Sequence, residues 1–192
     1  MKYTMKAIYL TLLFGLFLSS CSNGQENSNT RNDNNTDSTI VRNEVPEFEI
    51  NFPKTEFEVK EKVSNPVNMP IVTNWLLEGK DENGPFMYFV AHNKIPKDLE
   101  NLLHNDPTQL DIALQAMLTS SAEKLGGYDF AYKATDYKGK SGMTSKCKVF
   151  NGDGMIKSVV YVIDKDIFVI SGGGKKINED TLNTFLASFE LK

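Results

Sequence analysis

The chain predicts an α+β domain in which helices pack on the faces of one antiparallel sheet. Short runs of alternating apolar and polar residues recur between turn signals, from Phe48 to His92 and again from Tyr128 to Ser171. Between them, Asp106 to Leu125 switches to helical spacing, with Leu110, Ala113, Leu114, Met117 and Leu118 on one face. A second helical stripe, Leu182, Phe185, Leu186 and Phe189, closes the chain over Asn178 to Phe189.

Taken in order, FEINFPK (Phe48 to Lys54) alternates and stops at Pro53, which reads as a short strand. Glu56 to Val63 alternates again and ends at Asn65-Pro66. Ile71 to Glu78 sets Ile71, Thr73, Trp75 and Leu77 on one face. Gly79 to Gly84 then supplies a polar turn, and the aromatic-rich Phe86 to His92 completes a hairpin. Asp98 to Leu103 reads as a short turn of helix. Asp106 is a good N-cap and Pro107 a good first helical residue, and Gly126-Gly127 ends that helix. Tyr128 to Tyr137 ends at Lys138-Gly139, and Gly142 to Phe150 ends at Asn151-Gly152-Asp153-Gly154, a hairpin signal. Met155 to Ile163 and Ile167 to Ser171 are separated by Asp164-Lys165-Asp166. Asn178 can cap the last helix, and Glu179 and Asp180 suit its dipole.

The residues before this domain have a different logic. Lys2 and Lys6 precede an apolar run of about a dozen residues, Ala7 to Leu18, the layout of a secretory signal. Spanning a bilayer takes roughly 20 apolar residues, so a permanent transmembrane helix is not expected here. Leu18-Ser19-Ser20-Cys21 resembles the lipobox of bacterial lipoprotein signal peptides. That resemblance implies cleavage before Cys21, a diacylglyceryl group on its sulfur and acylation of its freed amine. Two or more acyl chains hold a protein to a membrane stably where one does not. The alternative is an ordinary cleaved signal with a cysteine nearby. From Ser22 to Asn43 the larger apolar residues are Ile40 and Val41, too few to offset chain entropy. The expected organisation is a signal over 1–20, a lipid-anchored disordered tether over 21–44, and one domain over 45–192. Within the tether, Asn34-Asn35-Thr36 fits an N-glycosylation pattern, and Asp37-Ser38-Thr39 resembles a short O-glycosylation site.

FEINFPK at the front, the turn-punctuated strands from Tyr128 to Ser171, and the ending DTLNTFLASFELK together resemble the PsbP-like superfamily, with its DcrB-type envelope lipoproteins. The resemblance implies an α-β-α sandwich, a central antiparallel sheet flanked by helices. It implies binding or assembly roles and no catalysis, and it carries no active-site residues onto this chain.

Removal of Lys2 and Lys6 with the signal leaves 19 basic and 25 acidic residues, a formal charge of −6. That balance argues against nucleic acid as a partner, since phosphate binding needs a concentrated basic surface. With Cys21 lipidated, Cys147 has no disulfide partner and is expected to be a small core residue. His92 and His104 lie near Asp98, Glu100 and Asp106 without metal-ligand spacing, and solvated loop positions are expected for both. Gly172-Gly173-Gly174-Lys175-Lys176 lacks phosphate-loop spacing and reads as a flexible connection between strand and helix. Ser120, Ser121, Ser141, Ser145 and Ser158 have no histidine nearby in sequence, and no GxSxG, HExxH or CxxC occurs. Trp75 and Tyr88, Tyr128, Tyr132, Tyr137 and Tyr161 are expected in core and cross-strand packing. No catalytic, metal or cofactor residues are assigned, and the one assigned site residue is Cys21, for lipidation.

The function these features imply is a non-catalytic binding or assembly module of the bacterial cell envelope. It would be anchored to a membrane through lipid on Cys21, face the periplasm or the cell surface, and dock on an envelope protein. The alternative is a carrier or sensor of a small hydrophobic ligand. An exposed patch favours the first and an enclosed apolar cavity the second.

Overall fold

A computed structural model describes residues 45–64, 71–95, 100 and 107–192. The signal, Cys21, the tether with its two glycosylation patterns, Asn65-Pro66, Asp98, His104 and Asp106 lie outside the described residues, as does the Asp98–Leu103 turn apart from Glu100.

The chain folds as β1 (Phe48–Glu49), β2 (Lys60–Ser64), β3 (Val72–Asp81), β4 (Gly84–Lys94), α1 (Pro107–Glu123), β5 (Tyr128–Tyr137), β6 (Lys140–Val149), β7 (Gly154–Ile163), β8 (Asp166–Lys175), α2 (Glu179–Ala187) and β9 (Glu190–Leu191). Seven strands form one antiparallel sheet in the order β2-β3-β4-β8-β7-β6-β5, and β1 pairs with β9 as a separate ribbon. Two meanders, β2 to β4 and β5 to β8, therefore join along β4 and β8, with α1 lying between them in the chain.

Local chemistry sets the turns. Lys138 and Gly139 both take positive φ, the geometry that matches a two-residue hairpin to strand twist. Asp164 does the same between β7 and β8. Asn178 caps α2, its side-chain oxygen accepting the Asp180 N–H at 2.7 Å. At the end of α1, Gly127 N–H donates to Ala122 O and Gly126 N–H to Glu123 O, a Schellman closure with Gly126 at φ +78°.

The antiparallel pairing matches the expectation; the α-β-α sandwich does not form. The described residues are mostly β, with two antiparallel sheets and two α-helices. α1 lies over β5, β6 and β7 on one side, and α2 over β7 and β8 on the other. On the α2 side the β3-β4-β8 half is closed by aromatic packing from the β1 ribbon together with α2. Phe48 of the ribbon meets Trp75, Phe168 and Phe189 at 4.8, 5.7 and 5.8 Å, and Phe185 meets Tyr88 at 5.1 Å. On that same side no helix among the described residues covers β5 and β6. Lys133, Lys146 and Lys148 project there and stay exposed, Lys146 and Lys148 in surface ion pairs. An antiparallel sheet tolerates one wet face.

Several expected boundaries also move. FEINFPK supplies only the two residues of β1, and Glu56 to Val63 forms a strand only from Lys60, leaving Phe57 and Val59 ahead of β2. β3 runs through Gly79 to Asp81, so the expected polar turn shrinks to Glu82-Asn83. Asp81 Oδ1 accepts the Asn83 and Gly84 amides at 2.8 and 3.1 Å and makes the tight turn possible. Gly172-Gly173-Gly174 is not a loop but the buried end of β8. A Cβ at Gly172 would lie 2.7 Å from the Tyr88 ring and 2.8 Å from Leu182, so these glycines serve close packing.

Candidate functional site

The alternation of β5 and β6 sorts their side chains onto two sides. Met143, Cys147 and Val149 turn to the core under α1, while Lys133, Thr144, Lys146 and Lys148 turn to the α2 side. There an open cleft of about 280 Å³ runs between the sheet and α2, lined among others by Ala131, Lys133, Lys146, Lys157, Asn183 and Leu186.

One carboxylate organises its floor. Glu179, in the first turn of α2, takes Lys157 Nζ at 2.6 Å and Lys146 Nζ at 3.0 Å, and Lys157 also donates to Asn183 Oδ1 at 2.7 Å. Hydrogen bonds from Lys157 and then Lys146 hold the Glu179 carboxyl below its usual range. Lys148 pairs with Asp129 at 2.6 Å, and that hydrogen bond pushes its ammonium pKa up. Lys133 has no ion pair among the described residues, although it lines the cleft. Four lysines thus face two carboxylates on a chain that is acidic overall.

A second ionic group lies inside the fold. His92 is fully buried in β4, and its Nε2 donates to Asp166 Oδ1 at 2.7 Å, while Lys94 Nζ lies 2.9 Å from the same oxygen. Burial raises the Asp166 carboxyl, but hydrogen bonds from His92 and Lys94 outweigh it and hold the group below its usual range. The ring packs 5.0 Å from Phe168, and its buried Nδ1 has no hydrogen-bond partner among the described residues. The expected solvated loop position for His92 is therefore corrected. No serine or threonine hydroxyl hydrogen-bonds to it among the described residues, so the group ties β4 to the β7–β8 hairpin.

Other residues singled out in the sequence fall as follows. Cys147 is buried with Ala122, Val149 and Ile156, and burial pushes its thiol to about 11. Trp75, Tyr88, Tyr132, Tyr137 and Tyr161 make ring contacts, whereas Tyr128 is largely exposed. Ser158 and Ser171 share a buried hydrogen bond at 2.7 Å under α1. Phe57, Val59 and Val63 are exposed along the β2 edge. Among the described residues no helix is long and apolar enough to cross a membrane, and no cluster of three or more metal-ligand side chains occurs.

Two features escape local reading. Asp166 is 74 residues from His92 in sequence, so nothing nearby announces the pair. The lysine face does carry a signal, since Lys146 and Lys148 alternate with Ser145, Cys147 and Val149.

Compared with known proteins, the chain matches no protein-family model and no curated protein sequence.

Proposed function

We propose that this protein is a non-catalytic docking module of the bacterial cell envelope, exported and held at a membrane by lipid on Cys21. The observation that supports docking is the bare side of β5 and β6, an open cleft walled by α2 and floored by lysines and small residues. A rigid, half-uncovered sheet offers a partner a preformed surface at little ordering cost. The anchor and tether would raise the module's effective concentration at the membrane, so a weak docking face suffices.

The hydrophobic-carrier reading has less to support it. The cleft lined by Pro85, Met87, Leu125, Val149 and Ile156 is apolar but holds only about 160 Å³. A hollow of about 560 Å³ beside Phe48, Ile50, Phe52 and Trp75 has the size of a ligand site but is open to solvent rather than enclosed. Small-molecule sites run from roughly 300 to 1,000 Å³.

Pull-down and crosslinking from intact envelopes, paired with native mass spectrometry of the purified protein, test the choice. Docking predicts a protein partner and a bare mass; a co-purifying small molecule with no protein partner would overturn it. Cys21→Ala is expected to abolish fatty-acid labelling and release the protein from the membrane fraction. Unchanged labelling would remove the anchor from the proposal.

A further inference from the structure

We infer that the α2-side face of β5 and β6 binds an extended acidic segment of a protein partner, its carboxylates seated on Lys133 and Lys146. The inference rests on the docking reading and adds the partner's chemistry.

The register of β6 and β7 carries the first step. Lys146 stands directly opposite Lys157, and both ammonium groups reach Glu179, so both project to one side of the sheet. Like charges directly opposed across strands are destabilising. A single carboxylate between two lysines leaves one positive charge in excess, and Lys133 adds another with no ion pair among the described residues. With a formal charge of −6 on the exported chain, this local positive excess runs against the molecule's sign.

Spacing identifies the occupant. Lys133 is opposite Thr144, two residues along β6 from Lys146 and on the same side. Diagonal neighbours of this kind lie about 7–8 Å apart. In an extended segment, residues i and i+2 point the same way and are separated by about 6.6 Å, twice the rise per residue. Two carboxylates separated by one residue therefore match the two lysines. Ala131 and Leu186 beside them give the intervening segment an apolar contact. The wall formed by α2 makes this a cleft, which suits a chain segment better than a flat lipid surface.

The test uses the full chain in non-ionic detergent and a fluorescein-labelled Glu-Thr repeat peptide, read by anisotropy at low salt. The Glu-Thr peptide is expected to bind, and Lys133→Glu and Lys146→Glu each to weaken it roughly tenfold through charge reversal. Lys80→Glu, on β3 near the opposite edge of the sheet, is expected to leave binding unchanged. Glu179→Gln is expected to strengthen it severalfold, which a folding defect would not do. No binding, an equal loss in Lys80→Glu, equal binding of a Lys-Thr peptide, or binding only to phosphatidylglycerol vesicles would each overturn the inference. If envelope pull-down still captures a partner after such a result, the docking reading stands and only the acidic segment is lost. If pull-down captures nothing, both fall.

Discussion

Asp166 and Glu179 each sit between two nitrogen donors, in different surroundings. Asp166 receives His92 and Lys94 with its side chain 12% exposed, and His92 is sealed in the sheet. Glu179 receives Lys157 and Lys146 with its side chain 42% exposed. Hydrogen bonding holds both carboxyls below their usual range, in Asp166 against the opposing pull of burial. The difference lies in what happens to an unmatched donor. The buried His92 imidazole is stranded without water, so the trio acts as a structural tie. At the surface an unmatched donor remains hydrated and can exchange one carboxylate for another. The same three-group chemistry is sealed inside the sheet in one place and faces solvent in the other.

The strongest way to break this comparison is Asp166→Ala. It strands a buried imidazole, and we expect a loss of about 3 kcal/mol, the lower end for removing one partner of a buried pair, read from urea midpoints. An unchanged midpoint would remove the structural tie. The pH dependence sharpens the same point. The folded carboxyl titrates below the unfolded value of about 3.9, so its contribution is complete above that value. It is lost as the pH falls through the folded value. Wild type is therefore expected to lose its stability margin over Asp166→Asn as the pH falls below about 4.

Next in size is Gly172→Ala. Its new methyl meets Tyr88 and Leu182, and overpacking of this kind costs about 2 kcal/mol, again measured by urea midpoint. A thiol probe gives a milder effect. Because burial raises the Cys147 thiol to about 11, native protein at pH 8 is expected to resist a thiol reagent that labels it readily in urea. Rapid native labelling would place Cys147 at the surface. At the small end, Glu179→Gln is expected to leave the urea midpoint in place, in contrast to Asp166→Ala.

Sequence legibility follows the range of the interactions. The Lys138-Gly139 turn, the Asn178 cap and the Gly126-Gly127 stop depend on neighbours within a few residues, and each stands where its pattern predicts. Gly172-Gly173-Gly174 reads locally as a loop because the groups that require it, Tyr88, Ile156 and Leu182, come from other elements. His92 reads as a surface residue for the same reason, its partner Asp166 arriving only when β4 pairs with β8. The layered sandwich fails on a signal that was local after all. Lys133 on β5, and Thr144, Lys146 and Lys148 on β6, give one side of these strands a polar row suited to water. The lysine face is thus half legible: alternation marks it as wet, while the opposition of Lys146 and Lys157 depends on strand register.

The proposed docking on the α2 side of β5 and β6 can be tested at single positions. A photocrosslinking amino acid placed at Lys133, compared with one at the exposed Ile112 on α1, tests it in intact envelopes. The expected result is a discrete crosslinked protein from position 133, attached through an acidic stretch, and none from position 112. Equal crosslinking from both positions, or a partner captured only from position 112, would contradict it.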